Sequence, residues 1–202
     1  MSGHGGAGDH RKLPRRRGEE LEKAILQATL DELAETGFAG MTIERIAERA
    51  RTGKASVYRR WPSRYELAMA AIYRIAPDPA SPPDTGTLRG DLLALLRATA
   101  AMLSGPGGEA MRGLVGDVLR DEKRMARIRE VSQGSGRRAV EEVTRRAVAR
   151  GEIDAAAVTT RRLETGQALL RQHFLFNGAP IPDTVILEIV DEVLVPLFTN
   201  PL

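Results

Sequence analysis

The chain has 202 residues, a formal net charge of +3 and no cysteine, a length that fits a small domain joined to a larger one. No apolar run is long enough to span a bilayer and the first 20 positions are charged and glycine-rich, so the sequence reads without a membrane span or secretory leader and points to the cytoplasm. The missing thiols exclude disulfides, thiolate nucleophiles, iron-sulfur clusters and cysteine-ligated zinc, and three scattered histidines are too few for an imidazole cage, so no catalytic residue, metal or cofactor is expected.

No segment alternates β-branched or aromatic residues with polar ones, and the expected fold is all-α. Residues 1–18 run from glycine into Arg11, Lys12, Arg15, Arg16 and Arg17 with no apolar period, which describes a flexible basic arm. Residues 19–76 form the first helical unit. Leu21, Ile25 and Ala28, then Leu26, Leu30 and Leu33, recur at helical spacing until Gly37 supplies a left-handed stop and Phe38 returns to the core. Thr42 caps a second helix over Ile43 to Ala50, with Ile43, Ile46, Ala47 and Ala50 inward and Glu44, Arg45, Glu48 and Arg49 on the opposite face. After Arg51-Thr52-Gly53, a third helix from Lys54 to Trp61 turns Val57 and Trp61 inward and Ala55, Ser56, Arg59 and Arg60 outward. Pro62 ends it, and Ser63 to Glu66 is a capping box that starts a fourth helix running to Pro77.

A proline-rich connection over 77–84 leads to the second unit, 85–202. Leu88 to Leu103 carry a fifth helix, broken by Gly105 to Gly108, which reads as a linker and not as a phosphate cradle. A short helix follows to about Leu119, then a helical stretch from Asp121 to Arg150 interrupted at Gly134-Ser135-Gly136. Asp154 caps the next helix, which ends at Asn177-Gly178, and the last begins near Asp183. That final helix is apolar over too wide an arc for one contact face. Its second side is expected in a C2 seam built from Gly166, Leu170, Ile186, Ile189, Val190, Val193 and Leu197, the alternative being packing wholly within the monomer. Met102, Met111, Leu114, Val115, Val118, His173, Phe174 and Phe176 are the candidates for lining a ligand cavity.

Charge is uneven along the chain. Residues 1–65 hold 13 basic and 9 acidic side chains, whereas residues 66–202 hold 17 and 18, the asymmetry expected where one part neutralises phosphate. Two short helices with complementary apolar arcs and a tight link make a helix-turn-helix, the alternative being a helical hairpin with an exposed polar face. On the second of them small residues allow close approach, arginine can be bidentate to guanine, and Lys54 and Tyr58 at the flanks can reach phosphate.

Thr42-Ile43-Glu44-Arg45-Ile46-Ala47-Glu48-Arg49-Ala50, followed by Lys54-Ala55-Ser56-Val57-Tyr58-Arg59-Arg60-Trp61-Pro62-Ser63-Arg64-Tyr65-Glu66-Leu67, resembles the DNA-binding signature of the TetR family of bacterial transcriptional regulators, over roughly residues 19–76. Arg112 to Asp121 and Ala147 to Ile153 are similar to one common C-terminal subtype. The resemblance implies an N-terminal three-helix DNA-binding domain and a larger helical ligand-binding and dimerisation domain. It implies a homodimeric repressor or, less often, activator on a pseudo-palindromic double-stranded DNA operator, a repressor being released by a small-molecule effector. By position, Thr42 and Tyr58 would touch phosphate and Lys54, Ala55, Ser56 and Arg59 would lie at base edges, with Arg60 beside them. Arg64 would hold the DNA backbone, and Arg15, Arg16 and Arg17 would reach the minor groove. Family members usually carry a Gly-Val-Ser-like run where this chain has Arg51-Thr52-Gly53, so a less stable turn is expected within an unchanged fold. The competing functions are a nonspecific DNA binder and a helical carrier or enzyme whose basic N-terminus is incidental.

Overall fold

A long first helix sets the frame for everything that touches it. In the computed structural model, which describes the backbone of residues 18–118 and 122–200 and the side chains of 18–113 and 136–200, α1 (Glu19–Gly40) breaks at Gly37, where φ is 67° and ψ 176°. The break sends Phe38 into the core. α2 (Ile43–Arg49) starts at Thr42, whose hydroxyl accepts the Arg45 amide at 3.3 Å, a cap that removes one unpaired donor. α3 (Lys54–Tyr58) has five residues, fewer than the spacing predicts. The Arg60 and Trp61 amides both return to the Val57 carbonyl, each at 3.0 Å, so the chain tightens after one and a half turns and drops Trp61 onto the core. α4 (Arg64–Ile75) opens with the Ser63 hydroxyl accepting the Glu66 amide at 3.1 Å. Ile25, Leu33, Met41, Ile46, Val57 and Leu67 are fully buried among these helices, and Ala110 from the second half joins the same cluster.

The second half contains α5 (Leu88–Leu103), α6 (Pro106–Val118), α7 (Glu122–Ala149), a 3-10 turn over Ala155–Ala157, α8 (Thr160–Asn177) and a terminal rod. The rod runs without interruption through α9 (Asp183–Glu188), a π segment (Ile189–Leu194) and α10 (Val195–Thr199). Three boundaries differ from the sequence pattern. Gly105 to Gly108 is no linker: Pro106 begins α6, and Gly108 lies so near the Leu103 carbonyl that a Cβ would sit 1.8 Å from its oxygen. Gly134-Ser135-Gly136 does not interrupt α7, because an interior glycine costs about 1 kcal/mol and does not by itself break a long helix. Asp154 caps only the 3-10 turn, accepting the Ala156 amide at 2.8 Å, while Thr159 caps α8.

The terminal rod packs on α5 and α8 of its own chain. Gly166, Leu170, Ile186, Ile189 and Val190 are therefore buried inside the subunit, which corrects their assignment to a seam between copies. A Cβ at Gly166 would lie 2.7 Å from Leu194 Cδ1. Hydrophobic periodicity reports that a face is covered, not which chain covers it. Val193 and Leu197 alone of the expected set keep surface. Arg89 grips Asp191 at 2.6 and 2.8 Å and Arg97 grips Asp183 at 2.7 and 2.6 Å, fixing the rod along α5. Each pair is bidentate, and each carboxyl is held below the usual aspartate range by its arginine.

Candidate nucleic-acid interface and ligand cavity

The bracing helix of the helix-turn-helix is locked by charge as well as by packing. Glu32 is fully buried on α1, with Arg45 Nε at 2.9 Å and Arg49 Nε at 3.3 Å from its two oxygens. Arg49 also bonds Glu35, whose carboxyl is held below its usual range by that hydrogen bond. Arg45 and Arg49 occupy the face that periodicity turns away from the core, yet both bend back onto α1.

The outer face of α3 is different. Ala55 and Arg59 are exposed, Tyr58 is 48% exposed, and Ser56 is half-buried. Among the described residues the Arg59 side chain makes no hydrogen bond or ion pair, while its amide donates to the Ala55 carbonyl at 3.1 Å. Lys54 Nζ lies 2.6 Å from Glu44 Oε1 on α2, and this hydrogen bond lowers the Glu44 pKa. Arg60 Nη1 donates to the Ser56 carbonyl at 3.0 Å, which holds its guanidinium along α3. The face is small in the middle, cationic at Arg59 and carries a hydroxyl at Tyr58, so it fits an edge-on approach to base pairs with phosphates alongside.

Arg64 stands elsewhere. Its Nη1 donates to the Met41 carbonyl at 3.1 Å and to the Ala39 carbonyl at 3.4 Å, and its guanidinium lies 5.0 Å from the centre of the Phe38 ring. The α1–α2 link leaves those carbonyls without helical donors, and Arg64 supplies them. It clamps α4 to the link, so its guanidinium is engaged inside the protein at the position where the resemblance implies DNA backbone. Arg15, Arg16 and Arg17 lie outside the described residues.

The turn between α2 and α3 takes the left-handed form that the departure from Gly-Val-Ser puts under strain. Arg51 has φ 53°. Its amide bonds the Glu48 carbonyl at 3.0 Å and the Thr52 amide bonds the Ala47 carbonyl at 2.9 Å, the paired closure of a Schellman motif, in which glycine is the usual left-handed residue. Thr52 is half-buried behind it.

A cavity of about 80 Å³ opens between α5 and α8, touching Ala76, Pro77, Leu95, Thr99, Met102, Leu103, Gly136, Ala139, Gln167 and Arg171. Of the candidates for lining a ligand site, it contains Met102. Phe174 is fully buried core with Arg112 stacked 4.9 Å from its ring, Met111 packs against that core, and Phe176 is 80% exposed. Asn177 Nδ2 lies 3.5 Å from the His173 ring and donates to its carbonyl at 3.3 Å. None of these four touches the cavity between α5 and α8, and Phe174 belongs instead to the core it shares with α5. Leu114, Val115 and Val118 have side chains outside the described ones. The residues missed were polar. Gln167 and Arg171 stand one turn apart amid the buried stripe of Leu163, Gly166, Leu170 and Phe174, and a polar pair at that spacing beside an apolar stripe is the sequence signal that marks them. Gln167 Nε2 donates to Thr99 Oγ1 at 3.4 Å, and Thr99 in turn donates to the Leu95 carbonyl at 3.0 Å.

Comparison with known proteins agrees with this geometry. Residues 25–71 match the model of bacterial regulatory proteins of the tetR family, and residues 82–193 match a tetracyclin repressor-like C-terminal domain. The chain is 33% identical over 181 residues, 89% of its own length and 88% of the relative's, to a protein of Mycobacterium bovis named an HTH-type transcriptional regulator. It is 33% identical over 190 residues, 90% and 95% of the two chains, to a protein of Mycobacteroides abscessus named a DNA-binding transcriptional repressor. The crystal structure of a TetR family transcription regulator superposes with a TM-score of 0.69 at 27% identity, covering 87% of this chain and 99% of that one.

Proposed function

Because the chain belongs to the TetR family of DNA-binding transcriptional regulators, which are not enzymes, we propose that it is a cytoplasmic homodimeric repressor whose α3 helices enter successive major grooves of a pseudo-palindromic operator and whose C-terminal cavity admits the effector that releases it. The observation that carries this reading is the contrast on α3: Val57 and Trp61 are pinned inward while Arg59 is exposed and unpaired and Tyr58 is half-exposed. Arg59 reads a base, and Ala55 and Ser56 let the helix lie close to the groove floor. Tyr58 and Thr42 touch phosphate, and Lys54 exchanges Glu44 for phosphate on docking. Arg60 supports Arg59 from the Ser56 carbonyl. The partner copy covers the surface that includes Val193, Leu197 and exposed Phe176. Among the described residues no helix is long and apolar enough to cross a membrane.

Release follows from where the cavity sits. Ala76 and Pro77 lie directly after α4 and line it, and α4 begins at Arg64, three residues beyond Trp61 at the end of the reading helix. A ligand that displaces Ala76 and Pro77 moves α4 along its axis and re-aims α3. A hundredfold loss of operator affinity requires about 2.7 kcal/mol of coupling between the sites. The test is a titration of duplex DNA from upstream of the gene at two salt concentrations. Affinity about 10³-fold or more above random DNA supports a specific regulator, whereas equal affinity for both, falling steeply with salt, identifies a nonspecific binder.

A further inference from the structure

The chemistry of the effector is written in one side chain. Arg171 on α8 is half-buried, lines the cavity between α5 and α8, and makes no hydrogen bond or ion pair among the described residues. The same guanidinium lines a second cavity of about 200 Å³, which shares Gly136 and Gln167 with the first and adds Arg137, Arg161, Glu164 and Ala168. Three guanidinium groups and one carboxylate thus face this outer chamber. Two of the three are engaged: Arg161 with Glu164 at 3.0 Å and Arg137 with Glu141 at 3.1 Å. Arg171 is left over. Loss of hydration pushes its pKa down, with Tyr73 and Glu164 pulling more weakly the other way. A partly desolvated cation without a partner is costly, and a bound anion restores what the missing water took. The inner chamber supplies the other half of the recognition, since Leu95, Met102, Leu103 and Ala139 are apolar and about 80 Å³ accommodates roughly six heavy atoms.

Taking the cavity as the effector site, as read above, we propose that its ligand is a compact organic acid, with the anionic head on Arg171 at the junction of the chambers and the apolar body against Leu95, Met102 and Leu103. Gln167 and Thr99 accept or donate at the neck between them. The acid reaches Ala76 and Pro77 with its apolar end.

The probes are hexanoate and benzoate, each paired with its neutral amide, titrated calorimetrically into the full-length wild type, Arg171→Gln and Arg171→Lys. The expected result is that each acid binds the wild type at least about tenfold more tightly than its amide, the scale of a hydrogen bond to a charged group. Arg171→Gln abolishes that preference and Arg171→Lys restores part of it, while Arg171→Gln, relieved of the half-buried charge, melts no lower than the wild type. Equal binding of acid and amide, no binding of either acid, or an acid preference that survives Arg171→Gln overturns the proposal. DNA affinity measured with each probe separates this from the reading beneath it. Acid binding through Arg171 that leaves the DNA complex intact upholds the ligand class and removes the effector role. Release by the amides, unchanged in Arg171→Gln, keeps the effector role and overturns the ligand class.

Discussion

α2 and α3 are adjacent helices of one motif, and helical periodicity gives each of them two arginines on its outer side. The structure treats them differently. Arg45 and Arg49 on α2 are recruited by Glu32 and Glu35 of α1 and become part of the scaffold, while on α3 Arg60 lies along its own helix and Arg59 stays free. An outward position is therefore not an available one. What decides is whether a neighbouring element offers a carboxylate, and α1 offers two to α2 and none to Arg59. One helix is held by carboxylates, and the other keeps an exposed guanidinium.

The contrast is broken most severely at Glu32. Replacing it by glutamine leaves two arginines beside a buried neutral amide, and Glu32→Gln is expected to lower stability by about 3 kcal/mol in urea melts, the low end for one partner of a buried pair because Arg45 and Arg49 keep some access to water. A change below about 0.5 kcal/mol would mean that the apolar arc of α2 suffices by itself. Next in size is the reading side. Arg59→Ala should weaken the preferred operator by about 2 kcal/mol and relax discrimination at one position per half-site, whereas Arg45→Ala should leave the ranking of sequences unchanged. Tyr58→Phe, losing a hydroxyl aimed at phosphate, should weaken all duplexes alike in the same anisotropy titrations.

Smaller effects sharpen the contrast at the junction of the two helices. Arg51 closes α2 with a positive φ of 53°, and Gly151 closes α7 in the same hydrogen-bond pattern at φ 75°. Only the second uses the residue that adopts this conformation at no steric cost. Arg51→Gly should therefore stabilise the protein by about 1 kcal/mol, raising the thermal midpoint by about 2–4 °C, and Gly151→Ala should destabilise it by a similar amount. Thr52→Val, which removes a half-buried hydroxyl behind the turn, should raise the midpoint slightly without abolishing operator binding. The weakest effect expected is on pH. Asp191 has its pKa lowered by the Arg89 hydrogen bond, so its contribution is fully present above the ordinary aspartate value of 3.8 and is lost as pH falls through the lower folded value. Wild type and Asp191→Asn should differ slightly at neutral pH and converge in stronger acid, and a difference that persists there would assign the contact a role other than charge.

Features governed by a few neighbouring residues were legible before the fold was seen. The caps at Thr42 and Ser63, the stop at Gly37 and the inward pair Val57 and Trp61 depend on local hydrogen bonds and helical phase, and all are present. Features set by distant packing were not. α3 is cut short because Trp61 must reach the core, and α7 continues through two glycines. Arg64 and Arg171 show the same limit from opposite sides. The first resembled a DNA contact and is occupied by the carbonyls of Ala39 and Met41. The second sits in an apolar stripe and is, among the described residues, a cavity cation without a hydrogen-bond or ion-pair partner. A charged residue declares its type in the sequence, but its partner is supplied by the fold.

Selection of duplexes from a random pool, performed in parallel with wild type and Arg59→Ala, tests most directly whether α3 is the reading helix. The wild type should enrich an inverted repeat whose half-sites are spaced by a whole number of DNA turns, and Arg59→Ala should lose the preference at one symmetric pair of positions within it. The same motif recovered undiminished with Arg59→Ala, or no motif from the wild type, would contradict that role for α3.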